Sequence, residues 1–259
     1  MRLHEHAWGR EGAPPVVCLH GVNSHALRFR RLAERLAGRF RVRALDLRGH
    51  GHSSWEPPWT IDAHVGDLLE TVGAPATWIG HSFGGRLVIE LAAREPARVE
   101  RAVLLDPAIA VPRDLAYARA EEELQGRSFA SVEEALEARI GGAGLGWLAH
   151  TPRELLEEDV REHLVEAPDG RLRYRYSPEA VAAAYQEMAN DPPPFAALGL
   201  PTLLVIGSHS KLVSAGELER YRAALGDLLE VAVVPGGHIP LWDAFEETSA
   251  AVESFLATA

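Results

Sequence analysis

The pentapeptide Gly80-His81-Ser82-Phe83-Gly84 places a serine between two glycines at a spacing that carries nucleophilic chemistry. The preceding "ATWIG" has the pattern of a short apolar strand and the following "GGRLVIELAARE" that of a helix, so Ser82 falls on a strand-to-helix turn. Such a turn strains the serine backbone, and a side chain at Gly80 or Gly84 would collide with neighbouring main chain. A serine hydroxyl is a weak nucleophile until a base takes its proton. Among 12 histidines, His238 fits that role because it stands on the turn after the last strand pattern, "LEVAVVPGGH", and follows Ser82 in chain order. Acyl chemistry also needs donors for a developing oxyanion. In "VVCLHGVNSH" a strand ends at His20-Gly21, and a sharp turn there lets the backbone N–H of Val22 join that of Phe83. His20 is expected to hold this loop.

The elements that must position these residues alternate along the chain. "PVVCLHG", "RVRALDLRG", "ATWIGHS", "RAVLLDP", "TLLVIGS" and "LEVAVVPGG" read as strands closed by Gly, Pro or polar turns, and their unbroken apolar character suits a mostly parallel sheet buried on both faces. Between them "LRFRRLAERLAG", "TIDAHVGDLLETVG" and "GGRLVIELAARE" read as helices, which makes the fold class α/β with helices flanking the sheet. From Val111 to Asn190 the sequence is helical and acidic, with no convincing strand before Thr202. This predicts a core domain of residues 1–110 and 192–259 and a helical cap, or lid, of residues 111–191. "DPPPF" at Asp191–Phe195 makes a stiff return to the core.

Composition excludes several classes. The chain of 259 residues is 47% apolar and carries 37 acidic against 26 basic residues, for a net charge of -11, so a nucleic-acid partner is not expected. The single cysteine, Cys18, lies in an apolar run and reads as a buried spectator. "MRLHEHAWGREG" is too polar for a signal peptide and no apolar run approaches the roughly 20 residues of a membrane span, so a cytoplasmic protein is expected. No His, Cys and Asp set has metal-ligand spacing, and neither metal nor organic cofactor is expected.

Four stretches carry a resemblance: "HGV" at His20, "DLRGHGHS" from Asp46 to Ser53, "GHSFGG" from Gly80 to Gly85, and "GGHIPLWDAFEETSAAVESFL" around His238. Over nearly its whole length the chain resembles the α/β-hydrolase superfamily. The resemblance implies a sheet of eight or so strands, a helical cap inserted after the sixth, and hydrolysis through Ser82 and His238. It assigns Asp46, His50 and His52 to a structural turn.

Many members carry the catalytic acid after the seventh strand. The corresponding stretch here, "TLLVIGSHSKLVS", offers Ser208, His209, Ser210 and Lys211, with Ser210 at the acid position. A second family placement, at the end of the sixth strand, falls on Asp106, just before Pro107. Asp106 is therefore the expected acid, with Ser210 dispensable and Asp243 on the surface. A serine nucleophile departs from the dehalogenases and epoxide hydrolases of the fold, which attack with aspartate. The implied function is a serine hydrolase cleaving carboxylic ester or lactone bonds of a small apolar substrate through an acyl-enzyme on Ser82. Alternatives are a carbon-carbon bond hydrolase, a cofactor-free perhydrolase or oxygenase, or a non-catalytic ligand-binding protein of the same fold. Trp147, Leu148 and Asn23 are the expected pocket residues, with Leu145 and Phe129 as further apolar candidates in the cap and "GGAGLG", Gly141–Gly146, as its hinge.

Overall fold

A computed structural model of the chain describes residues 1–142 and 148–257. In chain order the elements are β1 (Glu5–Trp8), β2 (Pro15–Leu19), α1 (Arg30–Leu36), β3 (Arg41–Leu45), α2 (Ile61–Thr71), β4 (Ala76–His81), α3 (Phe83–Arg94) and β5 (Val99–Leu105). There follow α4 (Arg113–Leu124), α5 (Val132–Gly142), α6 (Arg153–His163), β6 (Leu164–Glu166), β7 (Leu172–Tyr174) and α7 (Pro178–Met188). The chain closes with β8 (Thr202–Gly207), α8 (Ala215–Leu225), β9 (Leu229–Val234), α9 (Pro240–Asp243) and α10 (Phe245–Ala257).

Seven strands form one sheet in the order β1-β3-β2-β4-β5-β8-β9, parallel except for β1. All six strands expected from the apolar runs are present. The central strands β4 and β8 are buried at every position, which is why they read as continuous apolar runs rather than alternating ones. With seven strands rather than eight, the strand leading to Asp106 is the fifth in the chain. The strand missed in the sequence is β1, "EHAW", a polar antiparallel edge strand whose residues alternate between exposed and half-buried.

Between the neighbouring strands β5 and β8 the chain makes its long excursion through α4 to α7. The expectation of no strand in this interval is corrected: β6 and β7 pair as a small antiparallel hairpin. Each has three residues, too few for a periodic signal. The turn between them follows Pro168-Asp169, with Gly170 at a φ of 76°.

Arg86, on α3, ties this excursion to the core. Its guanidinium is 1% exposed and donates to the carbonyls of Ile109, Asn190 at 3.2 Å and Asp191 at 3.0 Å, while Nε donates to Glu90 at 2.8 Å. The carbonyls belong to the outgoing and returning ends of the excursion, so one buried cation clamps both to the helix that follows Ser82. Arg86→Met leaves three carbonyls without that donor and Glu90 with only Arg94, 3.1 Å away. The expected loss of stability is about 3 kcal/mol, read from the urea-unfolding free energy. An unchanged unfolding midpoint would contradict the clamp.

Candidate active site

Ser82 has φ 55° and ψ −117°, outside the regions open to most L residues. It sits where β4 ends and α3 begins, and the turn closes only because its flanks lack side chains. A Cβ on Gly80 would lie 2.3 Å from the Gly84 carbonyl oxygen, and one on Gly84 would lie 2.2 Å from that of Leu19. Both collisions expected from the sequence are therefore real. The Ser82 N–H donates to the Leu105 carbonyl at 3.2 Å, so the turn is pinned to the end of β5.

The structure brings Ser82, His238 and Asp106 into one line. His238 Nε2 lies 3.0 Å from Ser82 Oγ and its Nδ1 lies 2.7 Å from Asp106 Oδ2. Asp106 is fully buried and holds a φ of 41°. Its carboxylate also accepts a hydrogen bond from Ser210 Oγ at 2.6 Å. Ser210 is thus not a bystander, contrary to the reading of its sequence. Asp243 is also not a free surface acid: Oδ2 accepts from the Gly237 N–H at 2.7 Å and Oδ1 from Thr151 Oγ1 at 2.6 Å, which staples the turn bearing His238 to the excursion.

Proton positions around the serine follow from the neighbours. The Leu47 N–H donates to His20 Nε2 at 3.0 Å, which leaves the His20 proton on Nδ1, donating to the Gly21 carbonyl at 2.7 Å. In a trans peptide the C=O and N–H point in opposite directions, so holding the Gly21 carbonyl sets the direction of the Val22 N–H. His50 spans two carbonyls, Val22 facing its Nε2 and Arg48 its Nδ1 at 3.0 Å, and so ties the next peptide plane to the Arg48 turn. Phe83 is the first residue of α3, where a helix leaves its N–H groups without internal partners. His81, the second residue of the pentapeptide, donates from Nε2 to the His238 carbonyl at 2.8 Å and so fixes the backbone of His238. Neither His81 nor Asp243 stood out in the sequence; only their closeness to Ser82 and His238 hinted at them.

A cavity of about 140 Å³ opens onto Ser82 and His238, and Val22, Asn23 and Leu148 are in its wall. Trp147 and Leu145 lie outside the described residues, as does most of the proposed hinge. Phe129 does not reach the cavity. Its backbone bridges to Leu172 and its ring packs on Tyr174, because the hairpin absent from the sequence reading gives it a partner. The wall is also more polar than expected: Arg28, Arg119, Arg127 and Arg139 stand beside its apolar residues.

A mostly parallel sheet with a strained serine at a strand-to-helix turn, and an imidazole and a carboxylate brought to it from the ends of two other strands, defines an α/β protein of hydrolase type. The chain belongs to the alpha/beta hydrolase fold family, whose model matches residues 14–245. It is 37% identical to the lipase LipV of Mycobacterium tuberculosis over 193 residues, 73% of this chain and 72% of that protein. It is 29% identical to the pimeloyl-acyl-carrier-protein methyl ester esterase of Stenotrophomonas maltophilia, covering 98% of this chain and 96% of that one. Among solved structures, E-2-(acetamidomethylene)succinate hydrolase superposes with a TM-score of 0.85 at 27% identity, covering 98% of this chain and 95% of that one. No helix among the described residues is long and apolar enough to cross a membrane.

Burial holds four fully buried histidines, His20, His64, His81 and His163, below their ordinary range, His64 down to about 3. Each stays neutral in the fold while the unfolded chain protonates near pH 6.5. A depressed folded value means that stability is complete above pH 6.5 and is lost as pH falls below it. Each of the four then contributes a slope of roughly 1.4 kcal/mol per pH unit. Urea-unfolding free energies should therefore fall by several kcal/mol between pH 7.5 and 5.5. A flat profile would show that these rings accept protons in place.

Proposed function

We propose that this protein is a serine esterase or lactonase that forms an acyl-enzyme on Ser82, with Asp106, Ser82 and His238 as its triad. The single observation that carries this reading is the line Ser82 Oγ to His238 Nε2, 3.0 Å, and His238 Nδ1 to Asp106 Oδ2, 2.7 Å, at the mouth of a cavity. His238 takes the serine proton as Oγ attacks the carbonyl carbon, and Asp106 keeps the imidazole proton on Nδ1 and stabilises the imidazolium. The N–H groups of Val22 and Phe83 receive the oxyanion. His238 then protonates the leaving oxygen, and water repeats the cycle on the acyl-enzyme. Residues 111–191 serve as a lid over the core formed by 1–110 and 192–259, and Asn23 and Leu148 contact substrate. The names of the relatives support ester chemistry: one is a lipase and one a methyl ester esterase.

A fluorophosphonate probe followed by intact-mass measurement should add one adduct to the wild type and none to Ser82→Ala, and a panel of chromogenic esters and lactones should show turnover. An unlabelled wild-type protein that hydrolyses none of the panel would refute the reading. Asp106→Asn should fold normally yet lower kcat by about 10⁴, the size of this change in an unrelated triad. Ser210→Ala removes one hydrogen bond to a charged group and should lower kcat by about 10-fold rather than leave it unchanged. Combining Asp106→Asn with Ser210→Asp should recover part of the loss, since both side chains already meet. Near wild-type turnover by Asp106→Asn would remove Asp106 from the mechanism.

A further inference from the structure

Of the four arginines on the wall of the cavity that holds Ser82 and His238, two, Arg28 and Arg139, meet at one carboxylate. Arg28 lies in a 3-10 turn, Ala26–Phe29, just beyond the Val22 loop, and Arg139 lies on α5. Both are withdrawn from solvent, with side chains 7% and 10% exposed. They share one carboxylate, that of Asp159 on α6, which is 3% exposed. Arg28 Nε and Nη2 donate to Asp159 Oδ1 and Oδ2 at 2.9 and 3.1 Å, and Arg139 Nη2 stands 3.5 Å from Oδ2. His25 Nε2 also meets Oδ1, at 2.9 Å.

The pairing of Arg28 with Asp159 has a structural purpose, since it joins the core to α6. Arg139 is surplus to that purpose. At this corner two cations share one anion, while the other carboxylate of the wall, Glu123, lies beside Arg127 at 3.9 Å. Arg139 Nε is buried with no hydrogen-bond partner among them, and the guanidinium has the Tyr174 ring 5.5 Å from its Cζ. A buried N–H donor left without an acceptor is costly to maintain. Its location makes the cost harder to attribute to chance, because the chain as a whole carries a charge of -11. His25, Asp159 and His163 could by distance hold a metal ion, but two guanidiniums on the same carboxylate repel a cation. The electrostatics of this corner favour an anion.

We propose that Arg139, supported by Arg28, is a carboxylate-binding subsite, so that the substrate is an ester or lactone whose acyl part carries a second, free carboxylate. This rests on the reading of Ser82 as the nucleophile, and it replaces the expectation of an apolar substrate. A guanidinium with a free buried N–H can take one carboxylate, which it complements in shape as well as in sign. The apolar wall residues, among them Leu115, Met188 and Ile239, then face the carbon chain between the free carboxylate and the ester.

The test begins with binding, which does not depend on turnover. Isothermal titration of Ser82→Ala protein should show binding of glutarate and none of glutaramide or inorganic phosphate, and adding Arg139→Gln should weaken glutarate binding by roughly 10- to 100-fold. In the active enzyme, the ratio of kcat/KM for monoethyl glutarate to that for diethyl glutarate should exceed one and fall by a similar factor in Arg139→Gln. Arg139→Lys keeps the charge without the fork and should fall between. If Arg139→Gln does not fold, competitive inhibition of wild-type neutral-ester hydrolysis by glutarate but not by glutaramide decides the matter. Glutarate that neither binds nor inhibits, binding of phosphate alone, or a diester preference in the wild type would overturn the subsite. Fluorophosphonate labelling separates the two readings: an unlabelled Ser82 refutes the hydrolase, whereas a labelled enzyme indifferent to glutarate refutes only the subsite.

Discussion

The backbone of Ser82 is the constraint on which the rest of the structure depends. A non-glycine residue at φ 55° and ψ −117° costs about 1–3 kcal/mol and persists only where its surroundings over-determine it. Here they do so from every side. The Ser82 carbonyl accepts from the N–H groups of Gly85 and Ala108 at 2.9 and 3.1 Å, and its own N–H is held by Leu105. Gly84 sits so close to Leu19 and His20 that no Cβ fits, and a Cβ on Gly85 would lie 2.7 Å from that of Pro107. The strained turn therefore draws the ends of β2 and β5 against it. One of those ends carries the Gly21-Val22 peptide and the other carries Asp106.

A second consequence is electrostatic. The rings packed behind the turn are too buried to hold charge, and burial keeps His20 and His81 well below their ordinary range. A neutral imidazole has one donor and one acceptor, so each ring acts as a fixed connector rather than a titrating group. His20 reads Leu47 with one nitrogen and positions Gly21 with the other; His81 positions the His238 backbone. The cationic corner at Arg28 and Arg139 is the counterpart, a place where charge is kept despite burial.

What could be read from the sequence was whatever has a local cause. Apolar runs gave six of the seven sheet strands, because a strand buried on both faces leaves no alternation to misread. Gly80 and Gly84 announced the turn, because a missing side chain is visible in one dimension. β1 and the β6–β7 hairpin escaped, the first for being a polar edge and the second for its three-residue strands. The cooperation of Ser210 with Asp106 spans 104 positions and that of Arg28 with Asp159 spans 131. No local pattern encodes such pairs; only the order of strands in the sheet creates them.

That order also explains how the acid can stand where it does. β5 and β8 are parallel neighbours, with Leu105 opposite Val205 and the Asp106 N–H bonded to the Val205 carbonyl at 2.8 Å. Side chains leaving the two strand ends therefore arrive at one place. His238 Nδ1 needs a carboxylate oxygen at hydrogen-bond distance, and nothing in that requirement names the strand that supplies it. With Asp106 at hydrogen-bond distance from His238, the other strand's turn is free to take a different residue, and a serine there has a specific use. Its hydroxyl donates to the same Oδ2 that faces His238, which partly offsets the burial of a carboxylate. A second acid at Ser210 would set like charges together in a buried site and push one of them to take up a proton. The missing acid after β8 and the present one after β5 are thus two sides of a single electrostatic condition.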